Sequence, residues 1–327
     1  MPAKSEASGG GVFDMIAVVL MIVSAVVGAG FATGAELIAF FGASPLPPIV
    51  VALFVGLFLF AVMAALVYVP MKFSRKIFAP VFFIFFVAMT AGIAELAGPV
   101  AAAVAVVISI LIVWFGFEKM LTANKILMGF ALVVLLVLVV SSLGGTMARS
   151  NLPPNVLGTA GSALLYAGMN CCLLPAIFAE ARRTYSRKDL LLSVFVSAVV
   201  ISFFVFIIMT AINVNNVGSA VMPILALSNN FVVKLAVFIC ILTSMFATLF
   251  NLQTKKKRNL VSIGAFGYAL SFLGFTKVIS FFYPIVGVVM IGVVIFSLML
   301  AFFRGLRGNC GNSACQHTRG HQGQKGL

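Results

Sequence analysis

Apolar residues run through this chain in long stretches divided by short polar or basic breaks. Inside the stretches there is neither the alternation of a half-buried strand nor the polar face of a surface helix. A helix that crosses about 30 Å of hydrocarbon needs roughly 20 apolar residues. By that measure ten stretches are candidate spans: 12–41, 47–70, 77–97, 98–117, 121–143, 157–180, 188–212, 232–253, 259–274 and 276–303. The third and fourth meet at Ala97-Gly98-Pro99, and the ninth is short.

Two of the ten are interrupted. The first contains Val27-Gly28-Ala29-Gly30-Phe31-Ala32-Thr33-Gly34. Each glycine there costs a helix about 1 kcal/mol relative to alanine, and backbone groups freed inside a bilayer must find other partners. Such a break is either a small-residue face for close helix packing or a place where backbone binds a solute. The sixth stretch contains Tyr166-Ala167-Gly168-Met169-Asn170-Cys171-Cys172, with Pro175 just beyond. Asn170 is polar at mid-membrane depth, and Pro175 removes a helical donor. The plain alternative there is a kinked helix with an inter-helix hydrogen bond.

Composition settles the class. The 327 residues are 63% hydrophobic and 9% charged, against roughly 25% charged in a soluble domain, which makes this an integral membrane protein. The 33 phenylalanines and the unbroken Val/Ile/Leu/Ala runs fit helices and not a transmembrane barrel. A net charge of +14 suggests nucleic acid only until the basic residues are placed, for they lie in the short loops between spans.

With the N-terminus inside, the loops on that side hold Lys72, Arg75 and Lys76, then Lys119 and Lys125, then Arg182, Arg183, Arg187 and Lys188, then Lys255 to Arg258, with Arg304 and Arg307 in the tail. The opposite loops hold Arg149, Lys234 and Lys277. This bias places both termini in the cytoplasm, at the plasma (inner) membrane, and supports ten spans. The first stretch is too long for the h-region of a cleavable signal and is expected to be retained. Of the five cysteines, Cys171, Cys172 and Cys240 lie in apolar stretches and Cys310 and Cys315 in the tail, so no disulfide framework is expected.

The chain then divides into a cytoplasmic segment 1–11, five spans over 12–143, an extracytoplasmic linker 144–156 rich in Gly, Ser, Pro and Asn, five spans over 157–303, and a tail 304–327 of disordered composition. An odd number of spans per half inverts the second half relative to the first. Paired interruptions in the first helix of each inverted half point to the binding site of a secondary transporter.

The run from Val27 to Leu37, followed by Phe40-Phe41-Gly42, resembles the first-helix signature of the YkvI-type membrane proteins of the amino acid–polyamine–organocation superfamily. That resemblance implies a LeuT-like fold, all-α, with a five-plus-five inverted repeat and discontinuous helices one and six. It also implies roles. Backbone amides of Gly28, Ala29 and Gly30, with Phe31, would hold the substrate from one side, and Tyr166, Ala167, Gly168 and Asn170 from the other. A sodium ion would be held by Ser24 and Val27 on the first span and by Thr243 and Ser244 on the eighth. Oxygen ligands of that kind suit a hard cation. Span six departs from the family pattern in its Cys171-Cys172 pair.

Each site has a bland competitor. Thr243 and Ser244 are candidates to bond back to carbonyls of their own helix, and Cys171 and Cys172 to be small packing residues. Glu36, just past the first break and near enough to the outer interface to be partly hydrated, is a gate, a proton site or a structural anchor. Glu95 reads as interfacial, and Glu180 and Asp189 as neutralising neighbours of a basic loop. Cys310, Cys315, His317 and His321 match no standard zinc spacing, so no metal is expected. The expected function is secondary active transport of a small solute, an amino acid or related zwitterion or amine, by alternating access and coupled to Na⁺ or H⁺. A channel of the same architecture or a solute-sensing receptor is the alternative. No catalytic residue or cofactor is expected, since the spans lack a nucleophile–base pair. The partners implied are the solute and the bilayer, without nucleic acid; the oligomeric state stays open.

Overall fold

The computed structural model describes residues 12–319 apart from 43, 45, 69–74, 116, 145–154, 229 and 253–257, and at several helix ends, 301–319 included, it describes the backbone alone. Most of the linker, together with Lys72, Arg149, Lys255 to Lys257 and His321, therefore falls outside the described residues.

Among the described residues every regular element is helical. In chain order these are α1 (Val12–Val26), α2 (Ala29–Thr33), α3 (Ala35–Phe41), α4 (Pro48–Tyr68), α5 (Arg75–Ala97), α6 (Pro99–Phe115), α7 (Phe117–Ser141), α8 (Val156–Asn170), a 3₁₀ turn (Cys171–Leu173), α9 (Leu174–Thr184), α10 (Arg187–Val214), α11 (Pro223–Leu227), α12 (Phe231–Leu252), α13 (Arg258–Ser271) and α14 (Phe275–Arg319).

Their outer faces identify the solvent. Ile49, Leu53 and Leu57 form an exposed stripe at helical spacing on α4, Phe130, Val133 and Val137 one on α7, and Phe195, Val199 and Phe203 one on α10. Large exposed apolar stripes on helix after helix are untenable in water and expected in lipid. Among the described residues six helices are long and apolar enough to cross a membrane: Pro48–Tyr68, Phe78–Ala97, Val156–Leu173, Arg187–Val214, Phe231–Leu252 and Phe275–Leu300. The molecule is an all-α, multi-pass membrane protein.

Of the other apolar stretches, the fifth forms α7 and the rest form shorter pieces. The first is divided into α1, α2 and α3, the fourth is the 17-residue α6, and the ninth is the 14-residue α13. Gly98 (φ 88°) ends α5, and Pro99 begins α6 at the boundary read from Ala97-Gly98-Pro99. α14 continues through the tail to Arg319. Extending an established helix needs no new nucleus, so glycine-rich composition does not end it where the apolar run ends.

The helices pack in a recurrent pattern. α4 runs along α10, and α5 along α12. α1 lies on α10 as α8 lies on α4, α7 lies on α12 as α14 lies on α5, and α13 lies on α5 as α6 lies on α12. Ser202 on α10 donates to Ala52 O on α4, where Gly56 lets the two helices approach. The Arg182 guanidinium donates to Leu66 O, tying α9 to the last turn of α4, where helical carbonyls have no partner of their own.

Candidate functional site

The first break begins where the helical ladder fails. Val27 N–H still reaches Val23 O (2.8 Å), but Gly28, in an extended conformation, closes its N–H onto Val26 O (2.8 Å) instead of the carbonyl four residues back. α2 then lasts one turn and ends at Gly34, whose φ of 78° lies in the left-handed region open to glycine at no steric cost. α3 restarts from that residue, with α11 beside it: a Cβ on Gly34 would lie 3.1 Å from Ile212 Cδ1 and 3.3 Å from Ile224 Cγ1.

Glu36, in the first turn of α3, folds back across this break. The Gly30 backbone hydrogen-bonds to its carboxylate. A Cβ on Gly30 would fall on Glu36 Cγ, Oε1 and Cδ, closer than side-chain carbons come in real structures. The residue is 3% exposed. The expectation of a partly hydrated Glu36 is therefore corrected. Position along the span does not decide hydration here, because α8 and α14 pack on α3 and exclude solvent. Its second oxygen, Oε2, is buried without a hydrogen-bond partner.

The second irregularity is smaller and lies at the far end of the Tyr166–Cys172 stretch expected from sequence. Tyr166, Ala167, Gly168 and Asn170 are all helical, and only Cys171–Leu173 tightens into a 3₁₀ turn. Pro175 supplies no N–H to Cys171 O, the carbonyl four residues before it, and Leu174 N–H takes that carbonyl instead. Asn170 Nδ2 donates to Tyr166 O (3.0 Å) within its own helix. Gly168 faces α14, where a Cβ would sit 2.8 Å from Gly287 O. At that residue the small side chain serves close packing.

Tyr166 does reach the first break. Its ring meets Phe40 and Phe41 of α3 edge-on, with centroids 5.5 and 5.6 Å away. It is fully buried, and its hydroxyl has only the Asn170 side chain beside it among the described residues. Tyr283 of α14, tilted against Phe85 with centroids 5.0 Å apart, is buried with no partner for its hydroxyl among the described residues. Tyr166, Cys172 and Tyr283 all lie within electrostatic reach of Glu36. Tyr283 was missed from sequence, although a tyrosine inside an apolar span just before Pro284 is a signal of a sort.

The proposed sodium ligands fall partly together. A Cβ on Gly28 would lie 3.5 Å from Ser244 Oγ and 3.6 Å from Met89 Cε, so α12 and α5 close on the break. Thr243 and Ser244 are buried, and both hydroxyls donate to Cys240 O (3.0 and 2.9 Å). Ser24 donates to Met21 O (3.1 Å). This is the back-bonding alternative, yet a hydroxyl that donates keeps lone pairs for a cation. Val27 and Phe31 are buried, Ala29 opens α2, and Ala167 is buried in α8. Glu95 is exposed in the last turn of α5. Comparison with known proteins finds no family model that matches the chain and no curated protein that does.

Proposed function

We propose that the chain is a secondary active transporter with ten spans in two inverted halves of five, moving a small solute by alternating access at the first-helix break. The observation that carries this reading is the break itself: a backbone interruption between α1 and α3, buried under α5, α8, α12 and α14. Beside it lie the buried Glu36 carboxyl and the buried Tyr283 hydroxyl, whose Oε2 and phenol oxygen have no partner among the described residues. Buried polar groups left unsatisfied are costly, and a site that takes a ligand is one reason for keeping them.

The packing pattern supports the repeat. When each of the first five spans is exchanged for the span five places later, the pair α4–α10 maps onto itself, as does α5–α12. The same exchange turns α1–α10 into α8–α4, α7–α12 into α14–α5 and α13–α5 into α6–α12. A pseudo-two-fold between halves produces such pairs. The shift of the second irregularity to Cys171–Leu173 makes the first break the larger contributor of free backbone.

In this reading Gly28, Gly30 and Phe31 line the solute path opposite Tyr166. Ser24, Val27, Thr243 and Ser244 bind a coupling Na⁺, and Glu36 is the gate or proton site. The termini are cytoplasmic. The test is uptake by purified protein in proteoliposomes, across a panel of amino acids and amines, with external Na⁺ or choline. Saturable uptake driven above equilibrium by an ion gradient supports the transporter. Non-saturating flux supports a channel, and binding without uptake a receptor.

A further inference from the structure

We propose that this site recognises its solute through a cationic ammonium group held by Glu36; the inference rests on the solute site read above and specifies its chemistry. The amide end of the first break is where a solute's own carboxylate would be expected to dock. Here Glu36 already occupies it, bonded to the Gly30 backbone. An arriving carboxyl group would meet another carboxyl group, whereas an arriving cation would meet a group able to ionise and pair with it.

The surroundings are acceptor-rich. Among the described residues Glu36 Oε2 and the Tyr283 hydroxyl lack a partner, and the Tyr166 hydroxyl has only the Asn170 side chain beside it. α3, α8 and α14, which carry them, pack on one another. An ionised carboxylate only accepts, and a tyrosyl oxygen also accepts. A primary ammonium brings three donors and one positive charge, which suits a site with one carboxyl and tyrosyl oxygens on the helices around it. None of the described basic side chains acts on Glu36, and a buried charge persists when it is paired. The rings of Phe40, Phe41 and Phe85 crowd the two tyrosines, and aromatic faces attract cations and not anions.

The test is thermal unfolding of the purified full chain in detergent with four matched probes: butylamine, butyrate, 2-aminobutyrate and butanol. A ligand that binds only the folded state raises Tm with its concentration. Butylamine is expected to raise Tm, and butyrate and butanol are not. In Glu36→Gln, which keeps the shape, butylamine should bind more than about 100-fold more weakly, because the cation loses its buried counter-charge. Tyr166→Phe and Tyr283→Phe retain the charge and lose one hydroxyl each, so each should weaken binding by about 2- to 10-fold. They also keep the proposal testable if Glu36→Gln fails to fold.

Stabilisation by butyrate, no effect of butylamine on the wild type, or an undiminished effect in Glu36→Gln would overturn the proposal. Stabilisation by Na⁺ alone, lost in Glu36→Gln, would also overturn it and make this a metal-ion site. Glu36-dependent butylamine binding without uptake leaves the ammonium site standing and removes the transport reading. Uptake of 2-aminobutyrate without butylamine binding does the reverse.

Discussion

Gly30→Ala adds one methyl, and that methyl would occupy the space of Glu36 Cγ, Cδ and Oε1. Glu36 must then leave, giving up its hydrogen bond from the Gly30 backbone. A hydrogen bond to a charged group contributes about 1.5–3 kcal/mol, whereas alanine in place of glycine gains a helix about 1 kcal/mol. The two effects oppose each other, and the loss wins by about 0.5–2 kcal/mol. Gly129→Ala is the matched control, since a Cβ there meets nothing within 4 Å. It should be neutral or stabilising by up to about 1 kcal/mol. Denaturant unfolding of the purified protein in detergent measures both. The decisive arm is Gly30→Ala made in a Glu36→Ala background, where the obstructing atoms are gone and the methyl should cost little or nothing. Coupling of that size is what a double-mutant cycle detects for residues in contact. If Gly30→Ala is as benign as Gly129→Ala, or costs the same with and without Glu36, the folded-back glutamate is wrong.

Three further outcomes follow from the packing and the break. Gly287→Ala should destabilise by about 1–3 kcal/mol, because its methyl would fall on the Leu165 backbone, which cannot swing away; Gly292→Ala, with open space around it, should not. Equilibrium unfolding of the pair compares them directly. Ser244→Ala should leave stability within about 1 kcal/mol, since its hydroxyl bonds only within its own helix. The same variant should raise the Na⁺ concentration needed for half-maximal uptake by about tenfold or more, and uptake that is equal in Na⁺ and choline would remove the cation role of Ser24, Val27, Thr243 and Ser244.

Local signals made the helices and the first break legible. Gly28 and Gly34 stop helices for reasons contained in their own backbone, and Gly98-Pro99 divides two spans in the same way. The second break was legible in principle. A proline orphans the carbonyl four residues earlier, so Pro175 points to Cys171 and not to Tyr166. The hydration of Glu36 was not legible, because depth along a span does not reveal which other helices cover it. The same holds for the pairing of Tyr166 with Tyr283: the two tyrosines come near one carboxylate only through the contacts of α3 with α8 and α14. Ser244 was placed beside the first break by the family resemblance, and no pattern within α12 would have selected it.

The central claim is that the break around Gly30 is a solute site through which transport occurs. Its most direct test is uptake of labelled butylamine and 2-aminobutyrate into proteoliposomes holding wild-type protein or Glu36→Gln, with protein-free vesicles as the baseline. The account predicts saturable uptake of butylamine above that baseline in the wild type and its loss in Glu36→Gln. Uptake of either probe that does not saturate, or that is equal in the two proteins, would contradict it.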